Sequence, residues 1–181
     1  MVELMKRHPL ASAEAGQNME VTPALSRFSL RMAPDASAPL LGTLGLTPPT
    51  QACRAVRAGN AAALWLGPAD WLVLAETEDT ARLEQALHDD LKGLDYALVD
   101  ISHRQIGLQV AGPQVATWLN AVCPLDLSLD AFPVGMCTRT VFAKAQIVLW
   151  RTGEAVFHVE VWRSFAPYVR DMLNIIMAEA A

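Results

Sequence analysis

With 181 residues, the chain has room for one compact domain or two fused half-domains, and it can bury a core without disulfide staples. Charged residues are 18% against 52% hydrophobic, with mean hydropathy +0.24, which is less charge than a free-standing domain usually carries; part of the surface is therefore expected to lie under another protein. A formal net charge of -5 with 14 scattered basic residues excludes a nucleic-acid footprint, and three widely spaced cysteines, Cys53, Cys123 and Cys137, exclude a disulfide framework and read as reduced thiols.

The start, MVELMKRHPLASAEAG, lacks the apolar run of a secretion signal, and no apolar stretch has the length of a membrane span, so a soluble cytoplasmic protein is expected. Residues 1–24 show no hydrophobic period and are read as an extended arm, followed by one α+β domain over 25–181 with lobes of about 25–97 and 98–181. In SRFSLRM, Phe28, Leu30 and Met32 face one way and Arg27, Ser29 and Arg31 the other, the pattern of a half-buried strand. Residues 34–49, with Pro34, Pro39 and Pro48, read as a loop or a short helical turn. CRAVRAG is a short strand candidate. AAALWLGPADWLVLAE is a hairpin about Gly67–Asp70. From Asp79 or Thr80 as N-cap, Leu83, Ala86, Leu87 and Leu91 recur at helical spacing up to Gly93.

The pattern then restarts. Strands YALVDIS and QIGLQV lead into a helix opened by Pro113, whose Val115, Trp118, Leu119 and Val122 share one face. After the CPLDLSLDAFPVG loop come strands TRTVFA, QIVLW and AVFHVEVW, the last two separated by a turn over 151–154. Ser164 is expected to cap a last helix with Val169, Met172, Leu173 and Ile176 inward and Pro167 in its first turn. Most strand connections are too short for parallel crossovers, which gives two related lobes of mixed or antiparallel sheet with helices packed on their faces.

Residues with chemical potential do not converge. Asp100, Ser102 and His103 supply the parts of an acyl-transfer triad, but 100 and 102 share a strand face while 103 points away; a strand end with side chains bonded to nearby backbone is the expected role. His8, His88, His103 and His158 never fall at metal-ligand spacing, and His88, four residues after Glu84, reads as half of a solvated pair. His158 shares a strand face with Val156, Glu160 and Trp162. This face is more polar than that of Phe157, Val159 and Val161, and is expected to meet solvent or a partner. Cys123 and Cys137 lack a pKa-lowering neighbour apart from Arg139 and read as buried thiols. Gly107 and Gly112-Pro113 form no phosphate-binding pattern. Trp118 is core by its period; for Trp65, Trp71, Trp150 and Trp162 both core and interface stay open, with the arm as a second candidate contact.

The run VDISHRQIGLQVAGPQVATWLNAVCPLDLS resembles the folate-binding fold of the glycine-cleavage aminomethyltransferases. LGPADWLVL, VDISHRQIGLQVAGP, CPLDLSLDAFPVGMCTRT and WRSFAPYV, in that order, are similar to the gamma subunits of heterotetrameric sarcosine oxidases over about 60–173. The resemblance implies a non-catalytic gamma chain in an enzyme that oxidatively demethylates sarcosine to glycine with tetrahydrofolate and oxygen. FAD, FMN, NAD, tetrahydrofolate and zinc would sit on the alpha, beta and delta partners, and this chain would hold no catalytic, cofactor-binding or metal-ligating residue. TVFAKAQIVLW departs from the aminomethyltransferases, since no Asp or Glu falls between Asp130 and Glu154 where their folate carboxylate is expected. The alternative is a stand-alone folate-binding one-carbon transfer protein that uses Asp100 or Glu160 instead; an assembly factor for other proteins is a third class.

Overall fold

The computed structural model describes residues 10, 18–33, 38–77 and 79–180, so most of the expected arm, His8 included, lies outside the described residues. In chain order the elements are β1 (Met19–Val21), β2 (Ser26–Met32), a 3-10 turn (Gly42–Leu44), β3 (Ala55–Ala58), β4 (Ala61–Gly67), β5 (Asp70–Ala75) and α1 (Thr80–Asp90). Then come β6 (Tyr96–Asp100), β7 (Gln105–Ala111), α2 (Val115–Asn120), β8 (Cys137–Phe142), β9 (Ala145–Gly153), β10 (Val156–Trp162) and α3 (Ala166–Glu179). They form two five-stranded sheets, β3-β4-β5-β2-β6 and β1-β7-β10-β9-β8, with antiparallel neighbours in both. The fold is α+β, as the alternation of strands and helices predicts.

Each sheet buries its apolar side under its own helix. Phe28, Leu30 and Met32 of β2 join Ala63, Trp71 and Val73 against Leu83, Leu87 and Leu91 of α1 and the residue after it. On the second sheet, Leu108, Val110, Leu149, Phe157 and Val159 pack beneath Trp118 of α2 and Val169 and Leu173 of α3. The other two faces meet in a smaller cluster of Ala62, Leu64, Leu72, Leu74, Ile101, Cys137 and Val148, giving the order helix, sheet, sheet, helices. At one side the sheet edges are stitched together: Arg54 bridges to Met136, Ala55 N donates to Gly135 O, and Cys137 N donates to Cys53 O.

Local signals behave as side-chain chemistry dictates, with three exceptions. Asp79 is the N-cap of α1, and its side chain accepts from Arg82 N at 2.9 Å. Gly112 holds φ +146°, and a Cβ there would lie 2.8 Å from the Trp118 ring, so this turn needs glycine twice over. Pro113, however, precedes α2, which begins at Val115 after Gln114, because Gly112 and Pro113 are used in a turn whose Gly112 N binds Ala155 O. Ser164 does not cap α3. Phe165 N bonds Trp162 O, so Ser164 lies inside a turn and Phe165 becomes the N-cap without a side-chain bond, while Pro167 does fall in the first turn. The expected turn over 151–154 is instead strand up to Gly153. Arg151 is buried there, with its guanidinium donating to Leu127 O, Phe132 O and Glu154 O and lying 4.8 Å over the Phe157 ring. It pins the leucine-rich loop to β9.

Candidate functional site

The inner faces carry the chain's most concentrated polar chemistry. Arg27, which alternation places on the outer side of β2, turns into the space between the sheets and is 4% exposed. Its Nε donates to Glu160 Oε2 at 2.6 Å and its Nη2 to Oε1 at 3.0 Å, while His158 Nε2 donates to the same Oε1 at 2.8 Å. Glu160 is fully buried. The face of β10 expected to meet solvent or a partner is therefore covered at His158 and Glu160 by the opposite sheet. Alternation identifies which residues share a face but not what covers it. Burial pushes the Glu160 carboxyl up, but the hydrogen bond from His158, the charge on that ring and the Arg27 guanidinium outweigh it and hold the group below its ordinary value.

Gly107 makes this arrangement possible. It lies opposite Glu160 on β7, and a Cβ there would approach Thr22 Oγ1 to 2.2 Å, His158 Cε1 to 2.8 Å and Glu160 Oε1 to 3.0 Å. The glycine serves close packing of three polar groups, not a phosphate. A sequence signal existed in the His-x-Glu alternation of β10, but its guanidinium partner is 133 positions away along the chain.

The apparent triad is local structure. Asp100 Oδ1 accepts from Ser102 N at 2.8 Å and from Ser102 Oγ at 2.5 Å, and Ser102 Oγ accepts from Arg27 N at 2.9 Å. This closes the end of β6 in an Asx turn, and the hydroxyl proton goes to Asp100 rather than to a base. His103 is exposed on the following turn. His88 bonds Tyr96 Oη through Nδ1 at 2.7 Å instead of forming the expected pair with Glu84, since β6 runs beside the end of α1. Cys123 and Cys137 are buried, and burial, with the neighbouring Cys53 adding to it, pushes the Cys137 thiol up to about 12. Such a group stays protonated and is no nucleophile at neutral pH. Arg139, the one basic neighbour considered for these thiols, binds Asp70 at 2.9 Å. Among the described residues no group of three His, Cys, Asp or Glu could hold a metal ion. Neither candidate for a substitute folate acid is free: Glu160 is held by two partners and Asp100 by Ser102.

At the end of the second sheet where Val141 pairs with Gln146 and Trp162 with Gln105, the two sheets leave a cleft of about 430 Å³. Leu66 and Leu72 line it from the first sheet, and Arg104, Arg139 and Trp162 from the second side. The Arg104 guanidinium lies 5.8 Å from the Trp162 ring centre. Of the tryptophans, Trp71 and Trp118 are buried and Trp65 and Trp150 half-buried, whereas Trp162 is 44% exposed.

Comparison with known proteins follows this geometry. The sarcosine oxidase, gamma subunit family matches residues 31–179. The sarcosine oxidase subunit gamma of Corynebacterium sp. (strain P-1) is 34% identical over 122 residues, 66% of this chain and 58% of that protein. Its counterpart from Arthrobacter sp. is 33% identical over 123 residues, 67% of this chain and 60% of that protein. The matches thus span about three fifths of the length of these curated relatives. Among solved structures, a chain of heterotetrameric sarcosine oxidase from Corynebacterium sp. U-96, in complex with pyrrole 2-carboxylate, superposes with TM-score 0.84 and 27% identity, covering 96% of this chain and 95% of that one. Aminomethyltransferase T of the glycine cleavage system from Bartonella henselae superposes with TM-score 0.63 over 86% of this chain and 44% of that one, and its 11% identity speaks to the fold alone.

Proposed function

Because the chain belongs to the sarcosine oxidase gamma subunit family, we propose that it is the non-catalytic gamma subunit of a heterotetrameric sarcosine oxidase, supporting oxidative demethylation of sarcosine to glycine with tetrahydrofolate and oxygen. The observation that carries this reading is the use of the polar groups: Arg27, His158 and Glu160 are consumed in joining two sheets, and Asp100 and Ser102 in ending a strand. Such a protein contributes through contact. Its partners are the alpha, beta and delta subunits, which carry FAD, FMN, NAD, tetrahydrofolate and zinc. Residues 25–181 form a single domain, to which Met19–Val21, read from sequence as part of an arm, adds the edge strand beside β7. The setting is cytoplasmic; no helix among the described residues is long and apolar enough to cross a membrane.

Native mass spectrometry of the complex from its source tests this directly. The expected result is a species with one copy of this chain beside flavin-bearing subunits; a stable lone monomer that recovers no flavin-bearing chain overturns the reading. Titration calorimetry separates the folate-binding alternative: the isolated chain should give no saturable heat with tetrahydrofolate, whereas binding at micromolar strength, about -8 kcal/mol, would establish a folate site here.

A further inference from the structure

The cleft beside Trp162 differs from the rest of this acidic protein. The chain has 19 Asp and Glu against 14 Lys and Arg, yet the cleft is lined by two arginines and no carboxylate. Arg139 is partly neutralised by Asp70. Arg104 is exposed and lies over Trp162, with no carboxylate partner among the described residues. Gln105 is only 7% exposed, lines the same space, and its Oε1 has no hydrogen-bond partner there. A buried amide oxygen without a donor is costly and calls for one from outside. Of the residues lining it, Val141 and Trp162 are 39% and 44% exposed.

These features require three things of an occupant: a carboxylate for Arg104, an apolar side chain for Val141 and Trp162, and an N–H for Gln105. A short stretch of polypeptide supplies all three at once, the N–H from its backbone. A pocket for a small ligand encloses most of that ligand's surface; here the lining Trp162 stays 44% exposed beside Arg104, the Trp and Arg composition of an interface hot spot. We infer that the Arg104–Gln105–Trp162 cleft is where a segment of another oxidase subunit docks, presenting an Asp or Glu next to an apolar side chain. This deepens the assembly role proposed above and rests on it.

The test is recovery of this chain with an affinity-tagged partner subunit when all subunits of the oxidase are co-expressed. Arg104→Glu, on an exposed turn, and Trp162→Ala are each expected to lower recovery about tenfold or more. Ile175→Glu, on the 54% exposed side of α3, is expected to recover like the wild type. Hydroxyl-radical footprinting should find Trp162 protected in the assembled enzyme and oxidised in the released chain. If Arg104→Glu and Trp162→Ala recover fully and Trp162 stays reactive in the complex, the inference is overturned while the assembly role stands. Failure of the wild type itself to be recovered would remove both. Protection of Trp162 by millimolar benzoate in the assembled enzyme would mark the cleft as a small-molecule site and likewise overturn the docking assignment.

Discussion

The two sheets share a plan, five antiparallel strands under helices, but the faces they turn toward each other are unlike. The first contributes Ala62, Leu64, Leu72 and Leu74, an apolar surface interrupted by Arg27; the second contributes His158, Glu160 and the buried Gln105 around Val148. The contrast shows that a polar sheet face can be interior when a single guanidinium reaches across to it. Such a seam is specific rather than strong, since a buried pair loses in desolvation much of what it gains in attraction, yet removing one partner strands the other charge.

The largest effect expected from breaking that contrast is at the pair itself. Arg27→Ala or Glu160→Ala should lower the opening free energy of β7 and β10 by about 3–5 kcal/mol, measured by native-state hydrogen exchange. Arg27→Met combined with Glu160→Met should cost less than either single change, because it makes the second face resemble the first. Single changes that cost nothing would show the seam to be idle. The same carboxylate sets an acid limit. Its folded pKa lies below its ordinary value of 4.5, so the unfolded chain takes up the proton more readily. The contribution is complete above that ordinary value and is lost as pH falls through the depressed one; Glu160→Gln should flatten this part of an acid-unfolding curve.

Gly107→Ala should cost about 1–3 kcal/mol by overpacking Thr22, His158 and Glu160 on the polar face, with no equivalent sensitivity at Ala62 or Ala63, which already carry a Cβ. The smallest effect belongs to the first sheet's helix: Asp79→Ala should remove the cap of α1 for about 1 kcal/mol, visible as faster exchange confined to its first turn.

The outward faces were legible from sequence because burial under a helix imposes unbroken alternation: Phe28, Leu30 and Met32 on β2, and Phe157, Val159 and Val161 on β10, repeat at period two. The cap at Asp79 was readable for an equally local reason. The inward faces were not. Arg27 and Glu160 each look like solvent-facing members of an amphipathic strand, and only the stacking of two sheets, a relation between residues far apart in the chain, makes them partners. The cleft shares this limit. Five tryptophans stand in the sequence, but the exposure of Trp162 and the lone Arg104 over it depend on where the first sheet stops covering the second. Family resemblance carried the fold, whereas the seam and the cleft follow from how the two sheets stack.

The position of β1 has a consequence for how the chain becomes a protein. Its residues 19–21 belong to the sheet otherwise made from the C-terminal part, with Met19 opposite Val110, while everything between β1 and β7 builds the first sheet and α1. On the ribosome this strand emerges early and must wait for β7, so forming the ladder closes a loop that holds about half the molecule. A fragment ending after β6 would keep a strand with no sheet to join, and one starting at β2 would leave the rim of β7 bare. Severing the polypeptide midway should therefore yield two incomplete pieces, each with an open seam where the other belongs.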